Sequence, residues 1–353
     1  MTVQIDSSKP VMVTGATGYV AGYIVKRLLE EGLTVHATVR DPENKQKLAH
    51  LDDLAAELPG NIHYFKADLL DPEAFFSPMK DCELVFHTAS PFTSDIKDPQ
   101  RELIDPALRG TENVLRTASK TPSVKRVVDT SSCAAIYSDA TECALGPDGM
   151  LTEDMWNTSS SLNYQPYSFS KVLAERRAWE LHGEQNQWEL ITINPSLVMG
   201  PPLNPSHVTS DSFMIMKQLV DGTAKMGAPK LGMGIVDVRD VAEAHYRAGF
   251  TPEAHGRYIT SGHNTNFLDL GKSLLNKYGD KYPLPKRALP KWLVMLVGPM
   301  MNKQLTREFI RKNVDVEWKA DTSKIKRELN MKFRPLKETM EDMMQALVEA
   351  GEV

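Results

Sequence analysis

Tyr167 and Lys171 stand four residues apart in "YQPYSFSKVLAERRAWEL". Pro166, just before them, suits the first turn of a helix, so the spacing predicts that both side chains project from one helical face. A phenol with a pKa of about 10 is a poor proton carrier at neutral pH, but a neighbouring ammonium favours the phenolate and lowers that value. Such a pair is suited to proton transfer. A second Y-x-x-x-K match, Tyr282 and Lys286 in "YPLPK", contains two prolines and cannot be helical. Upstream, "VVDTSSCAAIY" places the hydroxyls of Thr130, Ser131 and Ser132 at the end of an apolar run, where strand ends carry chemistry in open α/β sheets.

A second constellation lies near the N-terminus, in "VMVTGATGYVAGYIVKRLLEEG", residues Val11 to Gly32. Gly15 and Gly18 permit a tight turn and a close approach of backbone N–H groups to a ligand, and the helix that follows offers a favourable field for pyrophosphate. The spacing is T-G-x-x-G-x-x-A, with Ala21 small enough for close helix packing. A glycine pair alone serves a plain turn equally well; its place after a strand and before a helix points to a dinucleotide. The end of the second strand selects which one. Arg40 stands there, in "ATVRDPENKQK", and Lys47 follows at the start of the next helix, so a ribose 2′-phosphate and NADP(H) are expected. Asp41 leaves use of NAD open, and both cations also read as solvated charges flanking a helix.

The elements that must position these residues alternate. Short runs rich in Val, Ile and Thr ("VMVT" 11–14, "TVHATVR" 34–40, "NIHYFKAD" 61–68, "ELVFHTAS" 83–90, "KRVVDTSS" 125–132, "ELITINPSLVMG" 189–200) are separated by longer amphipathic segments. Nearly continuous apolar strands alternating with helices imply right-handed crossovers and a parallel sheet, hence a doubly wound α/β fold. A chain of 353 residues with 41% hydrophobic content can bury a full core and a second, smaller one. No repeat or low-complexity segment is visible.

Composition excludes several function classes. The net charge of -5 is spread along the chain without a long basic block, so nucleic acid has no electrostatic footprint. "MTVQIDSSKP" does not read as a secretory signal. Cys82, Cys133 and Cys143 are odd in number and lack metal-ligand spacing, which argues against a disulfide framework or structural metal and fits a reducing cytoplasm. The apolar stretch "LPKWLVMLVGPMM", 289–301, is shorter than the roughly 20 residues a membrane span needs and is broken by Gly298-Pro299. It reads as a core or substrate-pocket helix, with contact at a membrane surface as the alternative.

Taken in order, "VTGATGYVAG", "ATVRDPENKQK", "ADLLDP", "VFHTASP", "GTENVL", "KRVVDTSS", "YSFSK", "NPSLVMGPP" and "VDVRDVAEAH" resemble the extended short-chain dehydrogenase/reductases. Within them the chain is similar to the dihydroflavonol 4-reductase, cinnamoyl-CoA reductase and microbial aldehyde and ketone reductase group, over nearly its whole length. That resemblance implies a Rossmann-type fold and a Ser-Tyr-Lys catalytic set carried by Ser132, Tyr167 and Lys171. Ser132 would hydrogen-bond the substrate carbonyl, Tyr167 would protonate the developing alkoxide, and Lys171 would hold the nicotinamide ribose and tune the phenol. Ser131 is adjacent, so the serine role could shift by one.

The same resemblance implies cofactor contacts from Thr14, Gly15, Thr17, Gly18, Tyr19 and Val20, from Arg40 and Lys47, and from Asp68 and Leu69 at the adenine end. Thr88, Ala89 and Ser90 would lie near the ribose, and Pro195, Ser196 and Val198 on the nicotinamide side, where Tyr167 and Lys171 would also meet the cofactor. Asp68 also reads as a local cap and Pro195 as a strand terminator. "VDVRD", 236–240, would return the chain to the sheet. The expected division is a cofactor part, 1–195 plus about 236–265, and a substrate part, about 196–235 plus 266–353.

Tyr137 stands near where plant flavonoid reductases carry a polar asparagine, so a smaller aldehyde or ketone is expected as substrate. Met214, Met216, Met226, Met233, Met295, Met300 and Met301 could line an adaptable pocket or simply fill core. Two other functions share this fold: a nucleotide-sugar epimerase or dehydratase, and a non-catalytic NADPH sensor. Arg40 counts against the first and the Tyr167-Lys171 pair against the second. Homodimers through a bundle that includes the tyrosine helix are common in the family.

Overall fold

The computed structural model describes residues 2–90, 97–205, 210–302 and 305–353. Among the described residues the strands are β1 (Val11–Val13), β2 (Thr34–Val39), β3 (Asn61–Lys66), β4 (Leu84–His87), β5 (Arg126–Thr130), β6 (Glu189–Pro195), β7 (Leu197–Met199), β8 (Gly232–Asp237), β9 (Gly256–Thr260) and β10 (His263–Asn266). Seven form one sheet in the order β3-β2-β1-β4-β5-β6-β9. Every pairing in it is parallel. The order reverses between β1 and β4, which is where a doubly wound sheet opens a crevice at its strand ends.

Alternation along each strand builds two cores. Val11, Val13, Leu84, Phe86, Val128, Ile191 and Ile193 enter one cluster with the helices Tyr19–Glu30 and Val238–Phe250. Their neighbours Met12, Val85, Val127 and Leu190 enter another with Asp105–Lys120 and Pro166–Gly183. A period of two in a strand buried on both faces produces this division, and it explains why the runs look continuously apolar in sequence. The first helix layer is clamped at its far end by Arg126, whose buried guanidinium donates to the carbonyls of Ala248, Gly249, Thr251 and Pro252 at the C-terminus of Val238–Phe250.

The run 189–200, expected as one strand, divides at Ser196. β6 stays in the large sheet, and β7 joins a three-stranded sheet of order β10-β8-β7. At the break the Ser196 amide donates to Thr260 O at 3.1 Å, the neighbour that β6 has already acquired in β9. Val236 and Asp237 belong to β8 in the small sheet, and the chain rejoins the large sheet through the Val238–Phe250 helix and β9. Over the small sheet lies a third core, in which Met199, Phe213, Met216 and Leu219 meet Met340, Met343, Met344 and Leu347.

Two expectations about apolar residues are corrected. The stretch 289–301 forms the helix Lys291–Met301, but only Val294 and Gly298 are buried. Trp292, Leu296, Met300 and Met301 are exposed, so it is a surface helix with one face packed on Ile310 and Val314. None of the seven methionines proposed for a pocket lines the cleft described below; Met216 is core, and Met214 and Met226 are exposed. Among the described residues no helix is long and apolar enough to cross a membrane. All three cysteines are free and buried.

Candidate active site

A cleft of about 1110 Å³ runs along the strand ends and gathers nearly all the residues singled out in the sequence. Gly15, Thr17, Gly18, Tyr19 and Val20 line it, with Arg40 and Lys47, Asp68 and Leu69, and Thr88, Ala89 and Ser90. Ser132, Tyr167, Lys171, Pro195, Ser196 and Val198 complete the wall.

The glycine loop is held from behind. Gly15 N donates to Thr38 Oγ1 at 3.2 Å, Ala16 N to Thr38 O at 3.0 Å, and Gly18 N to Gly15 O at 2.9 Å. Gly15 has φ +64°, and a Cβ there would sit 3.0 Å from Ala89 Cβ, so the position excludes a side chain both conformationally and sterically. The helix starts at Tyr19, where first-turn amides lack helical partners and so serve an anionic ligand.

Thr14 is the one predicted cofactor residue that does not line the cleft: it is fully buried. Its hydroxyl accepts from the amides of Thr88 and Ala89, each at 3.0 Å, and lies 3.0 Å from His87 Nδ1. With its lone pairs occupied by those amides, the hydroxyl proton goes to Nδ1, which assigns the His87 proton to Nε2. Burial pulls His87 down to about 3, with the Lys171 charge as a smaller cause, so the ring is neutral. Thr88 Oγ1 returns a hydrogen bond to Thr14 O. Tyr19 lines the cleft, while its phenol donates to Gly200 O at 2.7 Å and its ring meets Phe213 edge-on. Tyr23, one turn on, donates to Pro201 O at 2.9 Å. These tyrosines tie the glycine-loop helix to the segment after β7.

At the adenine end, Asp68 Oδ1 accepts from Leu70 N at 2.9 Å in a local turn, and Leu69 O accepts from Asn113 Nδ2 at 2.7 Å. Arg40 follows β2 directly and is exposed. Lys47 is exposed in the first turn of the helix Lys45–Glu57, whose cap Asn44 accepts from the Lys47 amide.

The proposed reacting end is built from β5 and the helix Pro166–Gly183. Gln165 precedes that helix with φ +53°, held by its amide donating to Ser138 O and Asp139 Oδ1, and Pro166 opens the first turn. Tyr167 is 42% exposed on the cleft side, whereas Lys171 is buried, with Nζ donating to Ser90 Oγ at 3.3 Å. The two serines differ. Ser131 is buried and donates to Glu175 Oε2. Ser132 Oγ accepts from Ala134 N at 3.1 Å, capping a short helical turn, and its own proton remains available to an acceptor in the cleft.

Several contributors were not found from the sequence. Glu175 lies behind the serines, and Asp129 sits on β5 beneath Lys171; burial raises the Asp129 carboxyl to about 7, opposed by the Lys171 charge. His245 lies 2.7 Å from Thr130 Oγ1 and is held neutral by burial, down to about 4. The signal that could have found Glu175 is its place four residues beyond Lys171, on the same helical face as the Tyr167-Lys171 pair.

The residues present fit a dinucleotide. Gly15 forms a cradle that a Cβ would fill, Arg40 and Lys47 offer cations beside β2, and Ser196 Oγ is buried in the wall without a hydrogen-bond partner.

Comparison with known proteins agrees with this architecture. Residues 11–259 match the NAD dependent epimerase/dehydratase family. Cinnamoyl-CoA reductase CAD2 of Medicago truncatula is 38% identical over 327 residues, 91% of this chain and 97% of that protein. Tetraketide alpha-pyrone reductase 1 of Arabidopsis thaliana is 37% identical over 98% of each chain. Among solved structures, yeast methylglyoxal/isovaleraldehyde reductase Gre2 complexed with NADPH superposes with a TM-score of 0.77 at 29% identity, covering 98% of this chain and 100% of that one. The sheet order, the glycine loop and these matches establish that the chain belongs to the NAD dependent epimerase/dehydratase family, the extended short-chain dehydrogenase/reductases.

Proposed function

We propose that the protein is an NADPH-dependent reductase of aldehyde or ketone carbonyls, with Ser132, Tyr167 and Lys171 as its catalytic residues. The observation that carries this is one cleft lined by the glycine loop, by Arg40 and Lys47, and by all three of those side chains. Bound NADPH supplies the hydride. Ser132 donates its free hydroxyl proton to the substrate oxygen, and Tyr167, open to the cleft, delivers a proton to that oxygen as charge develops on it. Lys171, one helical turn from Tyr167 and lining the same cleft with Nζ donating to Ser90 Oγ, supplies a cation that stabilises negative charge developing there. Arg40 and Lys47 hold the 2′-phosphate, and the unpartnered Ser196 hydroxyl serves the nicotinamide side.

Tyr137 favours a small carbonyl over a flavonoid. It lines the cleft just past Ser132, with its ring 5.7 Å from that of the buried Trp318, and so presents an aromatic wall where plant flavonoid reductases carry a polar asparagine. The division into a cofactor part, 1–195 plus about 236–265, and a substrate part formed by the rest belongs to the same proposal.

The test is oxidation of NADPH, then NADH, by purified protein with aliphatic and aromatic aldehydes, α-diketones, keto esters and a dihydroflavonol. Turnover of simple carbonyls with NADPH is expected, and Tyr167→Phe should abolish it while leaving NADPH affinity unchanged. A Tyr167→Phe protein that still turns over removes Tyr167 from its assigned role.

A further inference from the structure

Glu175 is one turn beyond Lys171 on the same helix, and its side chain is fully buried. Five side chains donate to its carboxylate. Oε2 accepts from the Ser131 hydroxyl and from Asn194 Nδ2 at 2.7 Å. Oε1 accepts from Arg257 Nε at 2.6 Å, from Trp179 Nε1 at 3.3 Å and from Thr192 Oγ1 at 3.2 Å, whose one proton is shared with Asn194 Oδ1 at 3.1 Å. A set made wholly of donors matches the ionised acid, which only accepts.

Two paths run from this carboxylate to the serine loop. On one, Asn194 Nδ2 also donates to Ser132 O at 3.1 Å, so the backbone of Ser132 rests on a side chain that Glu175 orients. On the other, Arg257 lies 3.9 Å from the centre of the Trp156 ring and donates to Glu153 O at 2.7 Å and Met155 O at 2.6 Å. That strand of chain leads directly to Asn157, whose Nδ2 donates to Ala134 O at 2.8 Å and Tyr137 O at 3.0 Å. The loop from Ser132 to Tyr137, which lines the cleft, is thus gripped from both sides by residues answering to one buried ion pair.

We propose that Glu175, braced by Arg257, is the positioning residue for the catalytic serine: it engages the Ser131 hydroxyl and holds the Ser132 backbone so that the Ser132 hydroxyl faces the cleft. This rests on the reductase function proposed above. Glu175 itself stays behind the wall and touches neither substrate nor cofactor. Its role separates the two adjacent serines, one bonded inward as a strut and the other left free to donate.

The experiment begins with wild-type turnover of NADPH with the best carbonyl of the panel, followed by Ser131→Ala, Ser132→Ala, Glu175→Gln and the double variant Glu175→Gln/Arg257→Met. NADPH affinity and the melting temperature are measured for each. Ser131→Ala, a mild change, should lower kcat about threefold to tenfold, and Ser132→Ala about a hundredfold or more, because loss of a donor at the reacting oxygen costs far more than a looser fit. Glu175→Gln should lower kcat by about ten to a hundredfold with NADPH affinity unchanged. It also leaves Arg257 buried without its partner and so lowers the melting temperature. Removing both charges should recover the melting temperature but not kcat.

Recovery of wild-type kcat in the double variant would reduce Glu175 to a structural role and overturn the proposal. So would a larger loss for Ser131→Ala than for Ser132→Ala. If the wild type binds NADPH but reduces no carbonyl, the reductase function fails first and the proposal falls with it. Wild-type turnover with unaltered Glu175→Gln turnover sinks the positioning role alone.

Discussion

Replacement of Arg40 by alanine tests the cofactor assignment where the structure commits itself most narrowly. Arg40 and Lys47 are the cations lining the cleft beside the end of β2, and the two nicotinamide cofactors differ there by one phosphate. A hydrogen-bonded guanidinium–phosphate contact contributes about 1.5–3 kcal/mol. Arg40 is exposed, so water and salt keep it near the lower end, about 1.5–2 kcal/mol, which corresponds to roughly 10- to 30-fold in affinity. Titrating Arg40→Ala with NADPH and NADH, by calorimetry or quenching of protein fluorescence, should raise the NADPH dissociation constant by that factor and leave NADH within about twofold. Adding Lys47→Ala should weaken NADPH by a few-fold more, less than the arginine because an ammonium offers a point charge rather than a fork. Raising ionic strength should weaken NADPH binding to the wild type more than to Arg40→Ala. Equal weakening of both cofactors would refute the 2′-phosphate assignment.

Other outcomes follow from the same structure. Gly15→Ala forces a Cβ to 3.0 Å from Ala89 Cβ in a left-handed backbone, so NADPH affinity should fall at least about tenfold; unchanged binding would mean the loop is not the cofactor cradle. Asp129, raised to about 7, retains a proton between roughly pH 4 and 7 that the unfolded chain has released, so its contribution is full below pH 4 and is lost as pH rises through 7. About three pH units correspond to an upper bound of about 4 kcal/mol, so Asp129→Asn should gain stability over the wild type as pH rises from about 4 to 7 in urea titrations, and a constant difference across that range would contradict this. His245, lowered to about 4, works in the opposite direction. Its contribution is present above about pH 6.5 and lost as the pH falls towards 4, so His245→Gln should flatten the acid limb of the same titration.

Much of this was legible because apolar runs, glycine spacing and the Tyr167-Lys171 interval are local signals. β1 to β5 fall within their sequence runs, and the glycine turn, Arg40 and Lys47 come to one cleft. What escaped depends on distant partners. The run 189–200 carries no break signal beyond Pro195, since its division at Ser196 is decided by β9 and β8, from about 40 to 70 residues further on. The family resemblance implied a cofactor contact at Thr14; only the return of Thr88 and Ala89 beneath it shows the inward use of its hydroxyl. Glu175, Asp129 and His245 are buried polar groups, and sequence patterning reads charged and polar residues as surface until their partners are known.

The inward-facing Thr14 hydroxyl also bears on how quickly a cofactor can be captured. One oxygen fastens β1 to the two amides after β4, and Thr88 closes the circuit back to the same backbone. These bonds lie wholly within the protein, so the loop's shape does not depend on a cofactor, and little conformational entropy is left to be lost on association. Stopped-flow mixing with NADPH should accordingly give a single bimolecular phase with no slow ordering step, and Thr14→Val should introduce one.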